Sequence, residues 1–244
     1  MQFNTATDLR ERGFRLEMPP VTIVAFDPAG DGDDYDAVVA LSREEHQHGE
    51  VHDPDFAVEF LFRVLMAYRM PQNWEFPDKL AGLISLDRTL KSWTKARRQT
   101  THVFCVESNG VGYGYASSLS QKTDTKVIPY TTVASASAVR TPVPGTKVSM
   151  PRLRALDNMR ILMETKYLQI EKSAPGQDQL AAELSAFVWR QKGRPEAQLG
   201  QHDDLVMAAC GATWIGSKVL PPLLKQIMVS KGPMREPASR MRIN

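Results

Sequence analysis

Val21-Thr22-Ile23-Val24-Ala25-Phe26-Asp27-Pro28-Ala29-Gly30-Asp31-Gly32-Asp33-Asp34 is an apolar, β-branched run that stops on a carboxylate and breaks into a Gly/Asp-rich turn. Residues Val21 to Phe26 have the pattern of a short strand buried on both faces. Asp27-Pro28 ends that strand, so the Asp27 side chain sits at the edge of a sheet beside a turn rich in glycine. Past the turn, Ala37 to Leu41 reads as a second strand, antiparallel to the first.

The same device recurs further along. Thr101 to Val106 is an apolar strand that closes on Glu107, and Ser108-Asn109-Gly110-Val111-Gly112 follows, with glycines that give the backbone room. A helix is expected over Tyr113 to Gln121 and another strand over Lys126 to Thr131. Phe56, Phe60, Val64 and Ala67 are spaced as on a helix, which predicts one over Phe56 to Tyr68, ended by Met70-Pro71. A weak third strand is read around Gly49 to His52. Asp78 to Gln99 is a helix with Leu80, Leu83, Ile84, Leu90 and Trp93 on its apolar face.

Thr132 to Gly145 is Ser/Ala/Thr/Pro-rich and reads as a long loop. Arg152 to Thr165 is a helix presenting Leu153, Leu156, Met159 and Met163. Gln177 to Trp189 starts helical and finishes extended, with Gly193-Arg194-Pro195 turning a hairpin. Asp203 to Ser217 is the last helix, and Pro221-Pro222 leads into a basic tail. Strands interleaved with helices in this order define an α/β fold with a mixed sheet. Residues 1–20 form a lead-in, 21–218 the folded domain and 219–244 the tail.

Composition excludes several classes. The 244 residues are 42% hydrophobic and 24% charged, ordinary for a globular chain. No apolar run reaches the roughly 18 residues of a membrane span. The first twenty residues carry Asp8, Arg10, Glu11, Arg12 and Arg15 where a signal peptide needs an apolar stretch, so a cytoplasmic location is expected. Cys105 and Cys210 each lie in an apolar run, outside any C-x-x-C pair, and read as small buried hydrophobes. Net charge is only +2, but it is unevenly spread. Acids crowd Asp27 to Asp36, while Lys147, Arg152, Arg154 and Arg160 cluster, as do Lys225, Lys231, Arg235, Arg240 and Arg242. An acidic pocket in a basic surround suits a metal site acting on a polyanion, and uneven solvated surface is the plain alternative.

The chemistry rests on where the carboxylates fall. Asp27 and Glu107 end strands, and Asp203-Asp204 open the last helix after Gly200-Gln201-His202. Carboxylates gathered from distant segments repel one another unless a cation neutralises them. Mg²⁺ or Mn²⁺ takes hard oxygen ligands, and two such ions about 3.5–4 Å apart clamp an in-line phosphodiester displacement. Singly, each acid has a plainer reading: Asp203 as a helix N-cap, Glu107 as the partner of a lysine.

Read together, three segments resemble the nuclease motifs of tailed-phage large terminases. Val24-Ala25-Phe26-Asp27-Pro28-Ala29-Gly30-Asp31-Gly32-Asp33-Asp34 resembles the first, and Val106-Glu107-Ser108-Asn109-Gly110-Val111-Gly112 the second. Gly200-Gln201-His202-Asp203-Asp204-Leu205-Val206-Met207-Ala208 resembles the third and is the most distinctive. The likeness spans about residues 21 to 217, in the same order and spacing. It implies a ribonuclease H-like fold, with helices on both faces of the sheet, and an endonuclease that cuts concatemeric double-stranded viral DNA during genome packaging.

By position, it implies Asp27, Glu107 and Asp204 as the main ligands of two Mg²⁺ or Mn²⁺ ions, with Asp203 and Asp34 as further ligands. Asp31, Asp33 and Asp36 have no counterpart. Lys147 and Arg152 resemble a family feature, and with Arg154 they are expected to contact DNA phosphates. The implied partners are the terminase ATPase motor, the portal protein and the small terminase subunit, at the procapsid portal in a bacterial cytoplasm. The nuclease domain itself is expected to be a monomer that contacts no membrane. No G-x-x-x-x-G-K-[ST] loop is present, so the motor is expected on an excised or separate part.

Other readings carry less. Ser42 stands where a calcium loop needs its bidentate glutamate. His46, His48 and His52 lie among charges and read as a solvated loop. His202 is expected either to orient a carboxylate or water, or to cap the last helix. Phe60, Phe62, Met66, Trp93, Met159 and Met163 read as core. Ser117 and Ser118 lack the partners of a serine hydrolase. A junction resolvase or transposase, and a docking module with a silent site, are the rival functions; a branched-DNA substrate panel and a tail truncation separate them.

Overall fold

The computed structural model describes residues 20–29, 34–48, 57–96, 101–134, 148–189, 195–197 and 202–220. The element order is β1 (Val21–Asp27), β2 (Ala37–His48), β3 (Ala57–Arg69), α1 (Phe76–Ala96), β4 (Thr101–Glu107), α2 (Gly112–Lys122), β5 (Lys126–Val133), β6 (Val148–Pro151), α3 (Arg152–Glu164), β7 (Leu168–Ile170), α4 (Gln177–Ala186), β8 (Phe187–Trp189), β9 (Pro195–Ala197) and α5 (Asp204–Trp214), which ends in a π-helical turn over Ile215–Val219. Among the described residues, seven strands form one sheet in the order β6-β5-β4-β1-β2-β3-β7, and β8 and β9 pair antiparallel on their own.

Direction decides where the site lies. β1, β4, β5 and β6 run parallel, and β2 returns antiparallel between β1 and β3. The C-terminal ends of β1, β3, β4, β5 and β6 therefore share one edge. The chain leaves β1 by a hairpin on one side and has a crossover neighbour, β4, on the other, which opens a crevice at that edge.

Each face of the sheet has its own core. Ile23, Ala25, Val39, Phe62, Cys105 and Tyr130 pack on one side against Leu156 and Met159 of α3, Leu180 of α4 and the whole of α5. Leu205 to Trp214 are buried without exception, as expected of a helix that is apolar all round and lies between the sheet and α3 and α4. On the other side Val24, Phe26, Val38, Phe104 and Val106 meet Leu80, Leu83 and Leu90 of α1 and Tyr115 and Leu119 of α2. Phe26, fully buried, contributes about 1.5–3 kcal/mol as one such side chain. Cys105 and Cys210 are both buried and free. Among the described residues no helix is long and apolar enough to cross a membrane.

Of the helix expected over Phe56 to Tyr68, everything from Ala57 on is strand, and Phe56 lies outside the described residues. β3 pairs along its length with β2, and the register slips once: Ala40 faces Met66 while Leu41 faces Val64, which leaves Leu65 as a bulge. An extra residue inside a period-2 pattern converts spacings of two into the 60, 64, 67 spacing that mimics a helix. The loop expected around His46 is also strand, because β2 runs on to His48. Arg43 pairs with Glu45 at 2.7 Å and donates to the Gly216 and Leu220 carbonyls, so this polar stretch stays buried, His46 with it.

In α3 the buried face is Ala155, Leu156 and Met159, and Met163 points outward instead of into the core. β6 and β7 are too short to show in the sequence, and of the loop expected from Thr132, Thr132 and Val133 belong to β5 and Ala134 follows it. Residues 1–19, Asp31, Asp33, the strand read at Gly49 to His52, the rest of the loop to Gly145, Lys147, the turn at Gly193-Arg194 and the basic tail from Pro221 lie outside the described residues, as do the side chains of His48 and Trp93.

Candidate metal centre at the strand ends

Register places the acids in one row. Asp27 pairs with Ala37, and Ala37 pairs with Arg69; on the other side Phe26 pairs with Val106 and Glu107 with Tyr130. Tyr130, Glu107, Asp27, Ala37 and Arg69 thus cross the sheet near its C-terminal edge, facing α5. Asp203 and Asp204 enter the same space from the start of α5, and Arg152 from the start of α3, directly after the end of β6.

Each acid is held differently. Glu107 is 8% exposed; its Oε1 accepts from Asn109 Nδ2 at 2.6 Å and Thr132 N–H at 3.1 Å, and its Oε2 accepts from Asn109 N–H at 3.1 Å. Its lysine-pair alternative is therefore replaced by an asparagine and backbone donors. The turn that makes this possible needs glycine: a Cβ on Gly112 would stand 1.8 Å from the Glu107 carbonyl oxygen and 2.9 Å from Pro28 Cγ, and Gly110 has φ +53°. Asp203 is the N-cap residue of α5 but makes no capping bond; its Oδ2 accepts instead from Arg152 Nη2 at 2.6 Å. Asp204 Oδ2 accepts from Tyr35 N–H at 3.2 Å and lies 3.7 Å from His202 Nδ1.

The electrostatics show a shared acidic site. Burial pushes the Asp27 carboxyl well above the usual range, and Glu107, Asp204 and Asp203 push it further, with Arg152 acting against them. Asp204 is raised by burial and by Asp34 and Asp203, with the Tyr35 N–H and His202 acting against them. Asp34 is exposed and near enough to act on Asp204. Among the described residues, four carboxylates act against the guanidinium of Arg152, an excess of negative charge that a proton on Asp27 or a bound cation offsets, and an all-oxygen donor set is the kind Mg²⁺ and Mn²⁺ take. Among the described residues, no three side chains already stand grouped around an ion position, since Asp203 is drawn to Arg152 and Glu107 to Asn109. The donor chemistry fits a divalent ion.

Asp36 belongs elsewhere. It is buried, accepts from Ala29 N–H at 3.2 Å and pairs with Lys79 of α1 at 2.6 Å, so it closes the acidic turn from behind. Arg154 is exposed on α3. His202 meets the Tyr35 ring edge-on and lies beside Asp204.

Sequence reasoning missed three residues around the site. Glu183 of α4 is buried; its Oε2 accepts from Leu205 and Val206 N–H at 2.9 and 3.1 Å, and its Oε1 from Arg69 Nε and Nη2 at 3.1 and 2.5 Å. Arg69 in turn lies 4.8 Å over the Tyr35 ring. Arg69 was legible only to a reader who took Phe56 to Tyr68 as strand. The Tyr130 hydroxyl is buried close under α5 with no hydrogen-bond partner among the described residues.

A mixed sheet flanked by helices on both faces, with acids at adjacent strand ends, is the ribonuclease H-like fold. Within it, the chain has the fold of solved viral terminase nuclease domains. The manganese-soaked human cytomegalovirus terminase nuclease domain matches with a TM-score of 0.51 at 14% identity, over 87% of this chain and 86% of that one. A mutant nuclease domain of the large terminase subunit gp2 of bacterial virus Sf6, with manganese and beta-thujaplicinol, matches at 0.50 and 14%, over 84% and 91%. The manganese-soaked, inhibitor-bound cytomegalovirus domain matches at 0.50 and 13%, over 81% and 83%. At such identities the likeness establishes the fold. No family model and no curated protein matches the sequence.

Proposed function

We propose that this chain is a divalent-metal-dependent endonuclease that cuts double-stranded DNA, in the manner of a large terminase nuclease acting on concatemeric viral DNA in a bacterial cytoplasm. The observation that carries the proposal is the convergence of acids: register sets Asp27 and Glu107 at the ends of adjacent strands, and Asp203 and Asp204 at the start of α5 act with Glu107 on the buried Asp27 carboxyl. Manganese in the solved terminase nuclease domains of the same fold supports it. Asp27, Glu107 and Asp204 would hold the ions, two of them in this proposal, with Asp203 and Asp34 as additional ligands. Divalent ions in such a site supply an activated water and charge stabilisation for hydrolysis of a phosphodiester to 5′-phosphate and 3′-hydroxyl ends.

The chain's own groups have separate tasks. The Asn109 and Thr132 donors hold the Glu107 carboxylate at the end of β4, and a bound ion would take over one of its oxygens from Asn109. Arg152 holds Asp203 until a cation and phosphate compete for the two partners. Arg152 and Arg154, with Lys147, bind backbone phosphates and confer little sequence preference. The motor, the portal and the small terminase subunit are the partners that go with this reading.

Nicking of supercoiled plasmid in EDTA, Mg²⁺ and Mn²⁺, with Asp27→Ala alongside, tests it. Cutting that requires metal and is absent in the folded variant is the expected result. Cutting in EDTA, or by Asp27→Ala at the wild-type rate, removes the proposal.

A further inference from the structure

The start of α5 is capped from a distance. An N-cap aspartate ordinarily turns its carboxylate onto the backbone N–H groups two or three residues on. Asp203 occupies that position and does not. The N–H groups of Leu205 and Val206 are instead taken by one oxygen of Glu183, which is 5% exposed and comes from another helix. The other oxygen receives both Nε and Nη2 of Arg69.

Arg69 links this cap to the acids a second time. Its guanidinium lies over Tyr35, whose own N–H donates to Asp204 Oδ2 and whose ring meets His202 edge-on at 4.9 Å. Register puts Arg69 in the row of Asp27, one strand beyond Ala37. One part-buried ion pair, with Glu183 buried and Arg69 partly exposed, therefore fixes both the helix that carries Asp203 and Asp204 and the loop that orients Asp204.

We propose that Glu183, paired with Arg69, is a positioning residue: it caps α5 in place of Asp203, leaving the carboxylates of Asp203 and Asp204 to face the metal centre. For its consequence in cleavage, the proposal rests on the nuclease reading above. Glu183 touches neither ions nor DNA in this scheme. It acts through the two amides it accepts and through Arg69.

The test uses Glu183→Ala, Glu183→Leu and Glu183→Gln in the full chain. Leucine fills the volume and accepts nothing, so it serves where alanine leaves a cavity that unfolds the protein. Glutamine keeps an acceptor for Leu205 and Val206. Amide hydrogen exchange in EDTA is read first, at Leu205 and Val206 against Ala208 in the same helix. Leucine and alanine should speed exchange at the first two amides by roughly tenfold relative to the third, and glutamine should restore most of the protection. Calorimetry with Mn²⁺ alone should then show affinity weakened by about 10- to 100-fold in the leucine variant, the usual range for a lost supporting contact.

Unchanged exchange at Leu205 and Val206 in folded Glu183→Leu overturns the proposal, as does wild-type Mn²⁺ affinity in that variant. Neither readout needs DNA. A wild-type protein that binds Mn²⁺ but cuts no plasmid removes the nuclease reading and leaves these results to decide the role of Glu183.

Discussion

Gly112→Ala is the substitution on which local propensity and the site's geometry disagree in sign. Gly112 opens α2, and alanine is better than glycine in a helix by up to about 1 kcal/mol. The new Cβ would stand 1.8 Å from the Glu107 carbonyl oxygen, however, and real Cβ atoms essentially never come within 3.0 Å of another heavy atom. Closing that gap moves β4's end and the start of α2 apart by about 1 Å or more, and Pro28 Cγ at 2.9 Å blocks one direction of relief. Overpacking of this kind costs about 1–3 kcal/mol, which outweighs the propensity gain. It also moves Glu107, and a misplacement of ~1 Å at a reacting centre costs about 100-fold in rate. Urea denaturation and plasmid nicking in Mn²⁺ measure the two effects. A variant as stable as wild type, cutting at the wild-type rate, would refute the role given to this turn.

Three further perturbations follow from single contacts. Burial and three neighbouring acids raise Asp27, so its ionisation costs stability as pH rises from the unfolded value of about 3.9 through the folded one. In EDTA, Asp27→Asn should therefore melt higher than wild type near neutral pH, and the gain should vanish below about pH 4; an advantage that grows in acid would contradict the sign. Asp87 is buried and holds His102 at 2.7 Å, Thr125 at 2.5 Å and Lys91 at 2.8 Å, tying α1 to β4 and to the start of β5. Asp87→Ala removes the acceptor that His102 and Thr125 share, while Lys91 keeps Asp124, and should cost about 1–3 kcal/mol in denaturant unfolding; a loss under ~0.5 kcal/mol would show that the cluster is solvated. Arg154→Ala should lower the salt slope of DNA affinity by about one and spare the cleavage chemistry; an unchanged slope would mean that Arg154 makes no phosphate contact.

The strands that carry acids were legible because each is a short, wholly apolar run stopped by a carboxylate, and burial on both faces requires that pattern. β1 and β4 were read to within a residue, and their adjacency follows from the crossover that α1 provides. β3 was misread because one bulged residue, Leu65, gave a strand the spacing of a helix. That error hid Arg69 and with it the link to Glu183. Glu183 itself had no local signal: it is one of two acids on a ten-residue helix, and its meaning comes from a helix whose own N-cap residue is engaged elsewhere. Asp203 shows the same limit, since the sequence permits a cap and it is Arg152, at the start of α3, that turns its carboxylate away.

The most direct measurement is an anomalous-scattering map from a crystal of this chain soaked in Mn²⁺. Manganese peaks at the carboxylates of Asp27, Glu107 and Asp204, with Asp203 released from Arg152, are the expected result. A map with no peak there, at Mn²⁺ concentrations that support plasmid nicking, would contradict the assignment of these acids as the metal centre.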